Sequence, residues 1–304
     1  MNLISTTASS FSHTSTHEPR GYIDSVALKE LWFHTGTACN LACPFCLEGS
    51  KPGDDRLQRV SLDDVKPYML EALDLGVEKF SFTGGEPFVV KDLGRILAFA
   101  ADLKPCLVLT NGTDAVYNRE KTLRELQHTK YPIAFRVSLD YADAALHDDG
   151  RGEGSFDQAI RGIRLLQSLG FKVSIARQAA KDENSEAVDA EYRQLLDNHQ
   201  IDSALSIISF PDFQPPNSVN SVPEISERCM TRYHDENSRK SFMCAYSRML
   251  VKQNGRMTIY SCTLVDDDDR YAFHGSLRES LEQRTLLTHH RCFSCFSLGA
   301  SCSE

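Results

Sequence analysis

The sequence predicts an α/β fold, a partial TIM-like (β/α)6 barrel followed by a small cysteine-rich domain. Three observations predict it. From residue 31 to 209, short β-branched or aromatic runs alternate with longer amphipathic stretches, the rhythm of a parallel sheet with crossover helices. About six such units are present, fewer than the eight that close a TIM barrel, so an open or partial barrel is expected. The cysteines are also uneven: Cys39, Cys43 and Cys46 cluster early, while Cys244, Cys262, Cys292, Cys295 and Cys302 crowd the C-terminal stretch.

The candidate strands are LWFHTG (31–36), VEKFSFTG (77–84), CLVLTNG (106–112), IAFRVSLD (133–140), FKVSIAR (171–177) and ALSIIS (204–209). Candidate helices lie near 61–75, 91–103, 119–129, 155–169 and 186–199. The helix at 155–169 is the clearest. Ser155 with Gln158 reads as a capping box, Phe156, Ile160, Ile163 and Leu166 form one apolar stripe, and Gly170 ends it. Residues 1–28 are rich in Ser and Thr, have no apolar core of a signal peptide and no basic residue before Arg20, and read as a disordered leader. Residues 29–210 form the core domain, and the Pro-, Ser- and Asn-rich segment 211–240 reads as a linker. The region 241–304 opens on a hairpin turning at Asn254-Gly255 and is too short to bury a core of its own, which calls for a metal staple.

A net charge of −9 disfavours nucleic acid and anionic membranes as partners, and no run is apolar enough to span a bilayer. Ten cysteines without a secretory signal point to metal or redox chemistry in a reducing compartment, hence a cytoplasmic location. Cys106 and Cys229 stand alone and read as small buried hydrophobes, and the run DDDD at 266–269 reads as a solvated turn.

Parallel α/β folds place their sites beyond the C-terminal ends of the strands. The cysteine triplet follows the first strand, TGGEP (83–87) the second, TNG (110–112) the third, and SLD (138–140) closes the fourth. Four chemically loaded segments therefore converge on one site. Structural zinc takes four ligands, so three thiolates on one short loop leave a metal incomplete. Three cysteines on a four-iron cluster instead leave one iron open to an exogenous chelate. Zinc with a distant fourth ligand is the alternative.

With Phe45 in place, the C-x3-C-x-aromatic-C loop and an unaltered Gly84-Gly85-Glu86-Pro87 resemble the radical S-adenosylmethionine (SAM) enzymes. The stretch at 138–166 is similar to the branch of that family carrying SPASM or Twitch extensions. The resemblance covers about 30–210 and, more weakly, 241–302. It implies that Cys39, Cys43 and Cys46 bind a [4Fe-4S] cluster and that SAM chelates its open iron. It implies further that Gly84, Gly85, Glu86 and Pro87 meet the methionine amino group, that Phe45 lies along the adenine, and that Ser138 and Asp140 bind the ribose. Asn111 is a neighbour of the same site, and Arg151 is a candidate for the SAM carboxylate. Glu86 has a bland alternative, a helix-start carboxylate.

Cys244 and Cys262 flank the hairpin, and Cys292-x2-Cys295 follows. This layout is similar to a Twitch domain and implies one auxiliary [4Fe-4S] cluster, with Cys302 a spare thiol or a substitute ligand. A zinc staple fits the same spacing. The resemblance implies a radical SAM oxidoreductase or modifying enzyme. It would cleave SAM to a 5′-deoxyadenosyl radical that abstracts hydrogen from a small polar metabolite, the auxiliary cluster accepting an electron or anchoring substrate. A flavodoxin or ferredoxin would supply electrons. The rival within the family is a maturase of a ribosomally made precursor peptide. A non-catalytic iron–sulfur or zinc scaffold would need the cysteines but has no use for GGEP, Ser138 or Asp140.

Overall fold

The computed structural model describes residues 11–179, 183–211, 213 and 222–299. All six expected strands form: β2 (Glu30–His34), β3 (Lys79–Thr83), β4 (Cys106–Thr110), β5 (Ile133–Ser138), β6 (Lys172–Gln178) and β7 (Ile207–Phe210), after a short β1 (Tyr22–Ile23). They pair in parallel and in sequence order. β2 is buried along its whole length, as an interior parallel strand must be.

The expected hairpin is present as β8 (Ser247–Gln253) and β9 (Arg256–Tyr260), and its turn residues Asn254 and Gly255 have φ of 49° and 75°. Both are left-handed, as a two-residue turn between twisted strands requires. The hairpin does not stand apart from the core. β8 pairs in parallel with β2, adding a seventh parallel strand, and β9 and β10 (Ala272–Phe273) continue the same sheet antiparallel. The nine-stranded sheet stays open, since β10 and β7 are its two ends.

Alternation along the strands makes two cores. Leu31, Phe33, Phe80, Phe82, Val108 and Phe135 pack on the crossover helices Leu62–Asp74, Leu93–Leu103 and Ser155–Ser168, with Phe33 stacked on Phe82 at 5.4 Å. Trp32, Leu107, Met249, Val251 and Tyr260 face the other way, in a cluster that includes Cys244, Cys262 and Cys292.

Four sequence expectations are corrected. The leader assigned to 1–28 does not describe residues 11–28: Tyr22–Ile23 pairs with β11 (Thr285–Leu286), Arg20 meets Glu224 at 2.7 Å, and Ile23 and Leu28 are buried. The linker at 211–240 carries helices Glu227–Tyr233 and Glu236–Lys240, with Met230 fully buried. The stripe Phe156, Ile160, Ile163 and Leu166 is buried, but Ser155 is not the cap of its helix. Asp148 takes that role from outside, accepting from Ser155 Oγ and from the backbone of Gly154 and Phe156. A capping box does form at Ser61 with Asp64. The DDDD run is not uniformly solvated, because Asp266 is buried while Asp269 is exposed. Cys106 is a buried hydrophobe as expected; Cys229 is only half-buried. Cys302 lies outside the described residues.

Candidate active site

The C-terminal ends of the parallel strands surround a cavity of about 240 Å³. Cys39, Cys43, Cys46 and Phe45 line it from the loop after β2, and Gly84 and Gly85 from the end of β3. Asn111 follows β4, Ser138 ends β5, Asp140 comes two residues later, and Arg151 reaches in from the helix Ala144–Arg151. Ten of the expected cofactor-site residues thus share one cavity. Glu86 and Pro87 do not line it.

Backbone contact explains the two glycines. Gly85 N–H donates to the Gly36 carbonyl at 2.9 Å, and Glu86 N–H to the Ala38 carbonyl at 3.0 Å. A Cβ on Gly85 would lie 2.4 Å from the Ala38 oxygen, and one on Gly84 2.7 Å from Thr35 Oγ1. The glycines therefore let the second strand's end lie against the root of the cysteine loop. Sequence reasoning gave that close approach to the ligand; in the structure it serves first to fix the loop.

Glu86 is corrected as an ammonium acceptor. Its carboxylate is fully buried and accepts from Phe88 N–H (2.9 Å), Thr110 Oγ (2.8 Å) and Asn111 N–H (2.8 Å). It caps the short turn Pro87–Val89 and ties it to the end of β4. Burial pushes its pKa up to about 7 despite those donors.

Asp140 and Arg151, expected to act on different parts of SAM, are bonded to each other. Arg151 Nε donates to Asp140 Oδ2 at 2.5 Å, and Asp140 Oδ1 also accepts from Gln178 N–H at 3.3 Å. The guanidinium sits 5.5 Å from the centre of the Phe45 ring, whose edge rests against Gly150. Phe45 is therefore both a cavity wall and a packed residue. Asn111 Nδ2 is shared by Asn40 Oδ1 (3.0 Å) and Cys39 Sγ (3.8 Å).

None of the nine described cysteines is in a disulfide. Burial pushes the Cys39 thiol up to about 12 and raises Cys43 as well, so the thiolates call for a cation. Zinc with Zn–S of about 2.3 Å would draw tetrahedral sulfurs to about 3.8 Å of one another. Among the described residues no three cysteine sulfurs lie within 4.8 Å of each other. Three thiols outside any disulfide, on one short loop that lines an open cavity, fit the group.

The four C-terminal cysteines also meet. Cys244, Cys262, Cys292 and Cys295 line a small pocket of about 20 Å³, otherwise walled by Phe242, Met243, Leu264, Val265, Leu287, Thr285 and Arg291. Two buried arginines adjoin it. Arg248 donates to the Cys244 carbonyl (2.9 Å), and burial lowers its pKa to about 10.

Sequence reasoning missed a buried polar group on the cavity wall. Glu48 lines the cavity, and its Oε2 lies 3.3 Å from His34 Nε2, with Asp266 within 4.8 Å of both. His34 Nδ1 accepts from Gly36 N–H at 3.1 Å, which leaves the ring proton on Nε2, facing the carboxylates. Burial and the nearby Glu48 push Asp266 up to about 8. Asp266 was in view only as part of the DDDD run read as a solvated turn. Glu48 and Asp266 are far apart in sequence and carried no motif.

The segment after the cysteine loop is pinned. Asp54 is buried and accepts from Thr37 Oγ1 (3.0 Å) and from Arg56.

Residues 33–193 match the model of the Radical SAM superfamily. The chain belongs to the Radical SAM superfamily. Its members use a [4Fe-4S] cluster and SAM, and this chain is an enzyme of that kind. Among its relatives is the antilisterial bacteriocin subtilosin biosynthesis protein AlbA of Bacillus subtilis, 36% identical over 140 residues, 45% of this chain and 30% of that protein. The AdoMet-dependent heme synthase of Nitratidesulfovibrio vulgaris is 30% identical over 177 residues, 56% of this chain and 46% of that one. The fold resembles SuiB of Streptococcus suis bound to SAM, with a TM-score of 0.62 at 17% identity, covering 84% of this chain and 66% of SuiB. SuiB bound to the precursor peptide SuiA gives 0.61 at 18%, covering 86% and 66%. The chain spans less than half the length of these two curated relatives. No helix among the described residues is long and apolar enough to cross a membrane.

Proposed function

We propose that this radical SAM enzyme abstracts hydrogen from a side chain of a peptide substrate and carries a Twitch-like auxiliary [4Fe-4S] cluster. The observation that carries the two-cluster reading is the pair of cysteine sites: three half-buried thiols facing an open cavity, and four thiols around a separate apolar pocket. Cys39, Cys43 and Cys46 would hold the SAM-binding cluster, and Cys244, Cys262, Cys292 and Cys295 the auxiliary one. A cluster held by Cys39, Cys43 and Cys46 would provide the one-electron reductive chemistry by which this family cleaves SAM, the electron coming from an external donor. The family's cluster chemistry supports iron at the first site, and the likeness of the C-terminal cysteine layout to a Twitch domain supports iron at the second.

The protein's own groups orient and shield. Arg151, fixed by Asp140, offers its remaining N–H groups to a carboxylate at the cavity wall. Backbone carbonyls of the GGEP segment take over the role that Glu86 gives up. Leu47, Leu109, Phe210 and Phe213 exclude water from the far side, and Glu48 and Gln178 add polar contacts there.

The cavity has to take the cluster and SAM as well, so only the reactive end of a substrate would share it. The link of AlbA to a bacteriocin, and the likeness to SuiB with its precursor peptide, support a peptide side chain as that end. A small polar metabolite is the second reading, favoured by the likeness to a heme synthase, whose name points to no peptide. Electrons would come from a small carrier such as a flavodoxin or ferredoxin.

The test is 5′-deoxyadenosine release by anaerobically reconstituted protein with SAM and a strong reductant, challenged in parallel with a peptide library and a metabolite panel. Peptide-dependent release with a peptide mass change supports the proposal. Release stimulated only by a metabolite would install the second reading. No release from iron-replete protein that binds SAM would overturn both.

A further inference from the structure

Arg291 is 1% exposed and precedes Cys292 in the helix His290–Leu298. Its guanidinium is spent on backbone carbonyls from three segments: Nη2 donates to Leu47 at 3.1 Å, Nε to Phe213 at 3.2 Å and Nη1 to Leu264 at 3.3 Å. Each acceptor belongs to a functional wall. Leu47 follows Cys46 and lines the active cavity, Phe213 lines the same cavity, and Leu264 lines the pocket of the four cysteines, as Arg291 itself does. Asp267 lies 3.5 Å from Nη1 and balances part of the charge.

From this geometry we infer that Arg291 is a positioning residue joining the two cysteine sites, fixing the first loop relative to the auxiliary cluster and placing a positive charge beside that cluster. The inference rests on the auxiliary-cluster reading above. A guanidinium is planar and permanently charged, so its three separate nitrogens hold three carbonyls at set angles, whereas the three N–H groups of a lysine radiate from a single nitrogen. Burial strengthens each charge-assisted bond. Positive charge near an iron–sulfur cluster favours its reduced form and raises its potential. Arg248 adjoins the same pocket but donates to Cys244, Ser247, Ser25 and Ser280, none of which lines the active cavity. Arg291 alone of this pair spans both sites.

The experiment uses full-length protein with reconstituted clusters: wild type, Arg291→Met and Arg291→Lys. Iron content, EPR-monitored redox titration and the spin–spin interaction between the two reduced clusters are read for each. The expected result is a more negative auxiliary potential and a changed cluster–cluster interaction in Arg291→Met. In Arg291→Lys the interaction changes too, because a single nitrogen cannot occupy the positions from which Nε, Nη1 and Nη2 reach their three carbonyls. Wild-type potential and wild-type interaction in an iron-replete Arg291→Met overturn the inference. If that variant does not fold, a wild-type interaction in Arg291→Lys overturns it. Iron for one cluster only in the wild type would remove the auxiliary-cluster reading itself, and the inference with it.

Discussion

The two cysteine sites are built from the same side chain and for opposite ends. In the first, all three thiols are half-buried, and the cavity beside them holds an Asp140–Arg151 pair, exposed backbone and an aromatic wall. In the second, Cys244, Cys262 and Cys292 are buried, and apart from Thr285 and Arg291 the rest of the lining is apolar. A site that must admit an exchangeable ligand keeps polar groups and open space next to its metal. A site that holds its group permanently closes around it with four ligands. The number of cysteines and the exposure of the surroundings change together.

The largest expected effect separates the sites outright. Replacing Cys39, Cys43 and Cys46 by Ala should reduce 5′-deoxyadenosine release to the level of a protein-free control while the iron of the second site remains. Cys244→Ala with Cys262→Ala should do the converse, losing second-site iron and keeping SAM cleavage. Equal iron loss in both would mean that the sites fold as one unit, and the comparison would fail.

Next in size is the ion pair of the open site. Asp140→Ala leaves the Arg151 guanidinium buried without its carboxylate, at a cost of about 3 kcal/mol. Urea unfolding should show the loss, and SAM affinity should fall with it, since Arg151 is no longer held.

Gly85→Ala should cost about 2–3 kcal/mol and lower first-site iron, because its Cβ meets the rigid Ala38 carbonyl at 2.4 Å. Gly150→Ala is the sharper companion. There the clash is with the movable Phe45 ring at 2.7 Å, so stability should change less.

Glu86 gives a pH test of similar or smaller size. Its pKa is raised by burial from 4.5 to about 7, so the folded state keeps a proton that the unfolded chain releases. Stability from this group is therefore full below about 4.5 and declines as pH rises to about 7, by on the order of 2–3 kcal/mol. Urea midpoints of the metal-free protein at pH 5 and pH 8 should show this decline in wild type and not in Glu86→Gln. A parallel decline in both would remove Glu86 as its source.

The smallest effect lies outside both sites. Asn254→Ala forces a residue with a Cβ and no polar side chain into the left-handed region at φ 49°, costing about 1 kcal/mol. It should leave both iron contents untouched.

The sequence by itself determined what local chemistry determines. Six strands were legible because a parallel sheet needs apolar runs, and the Asn254-Gly255 turn because left-handed backbone selects those residues. The cysteine loop and GGEP were legible because ligand count and close backbone approach leave few alternatives. Even there, reading ended at the side chain's choice of partner. Glu86 was expected at the ligand and instead holds the end of β4. Asp140 and Arg151 were assigned separately and are partners. Asp148 displaced the cap expected from Ser155.

Only the tertiary structure decided contacts between segments with no periodic relation. It set Tyr22–Ile23 against β11, laid β8 beside β2 and brought Glu48 to His34 and Asp266. It also directed Arg291 to carbonyls 27, 78 and 244 positions away. The physical reason is common to all of them. Periodicity and backbone constraints act over a few residues, whereas a buried charge must find whatever partner folding brings within hydrogen-bond reach.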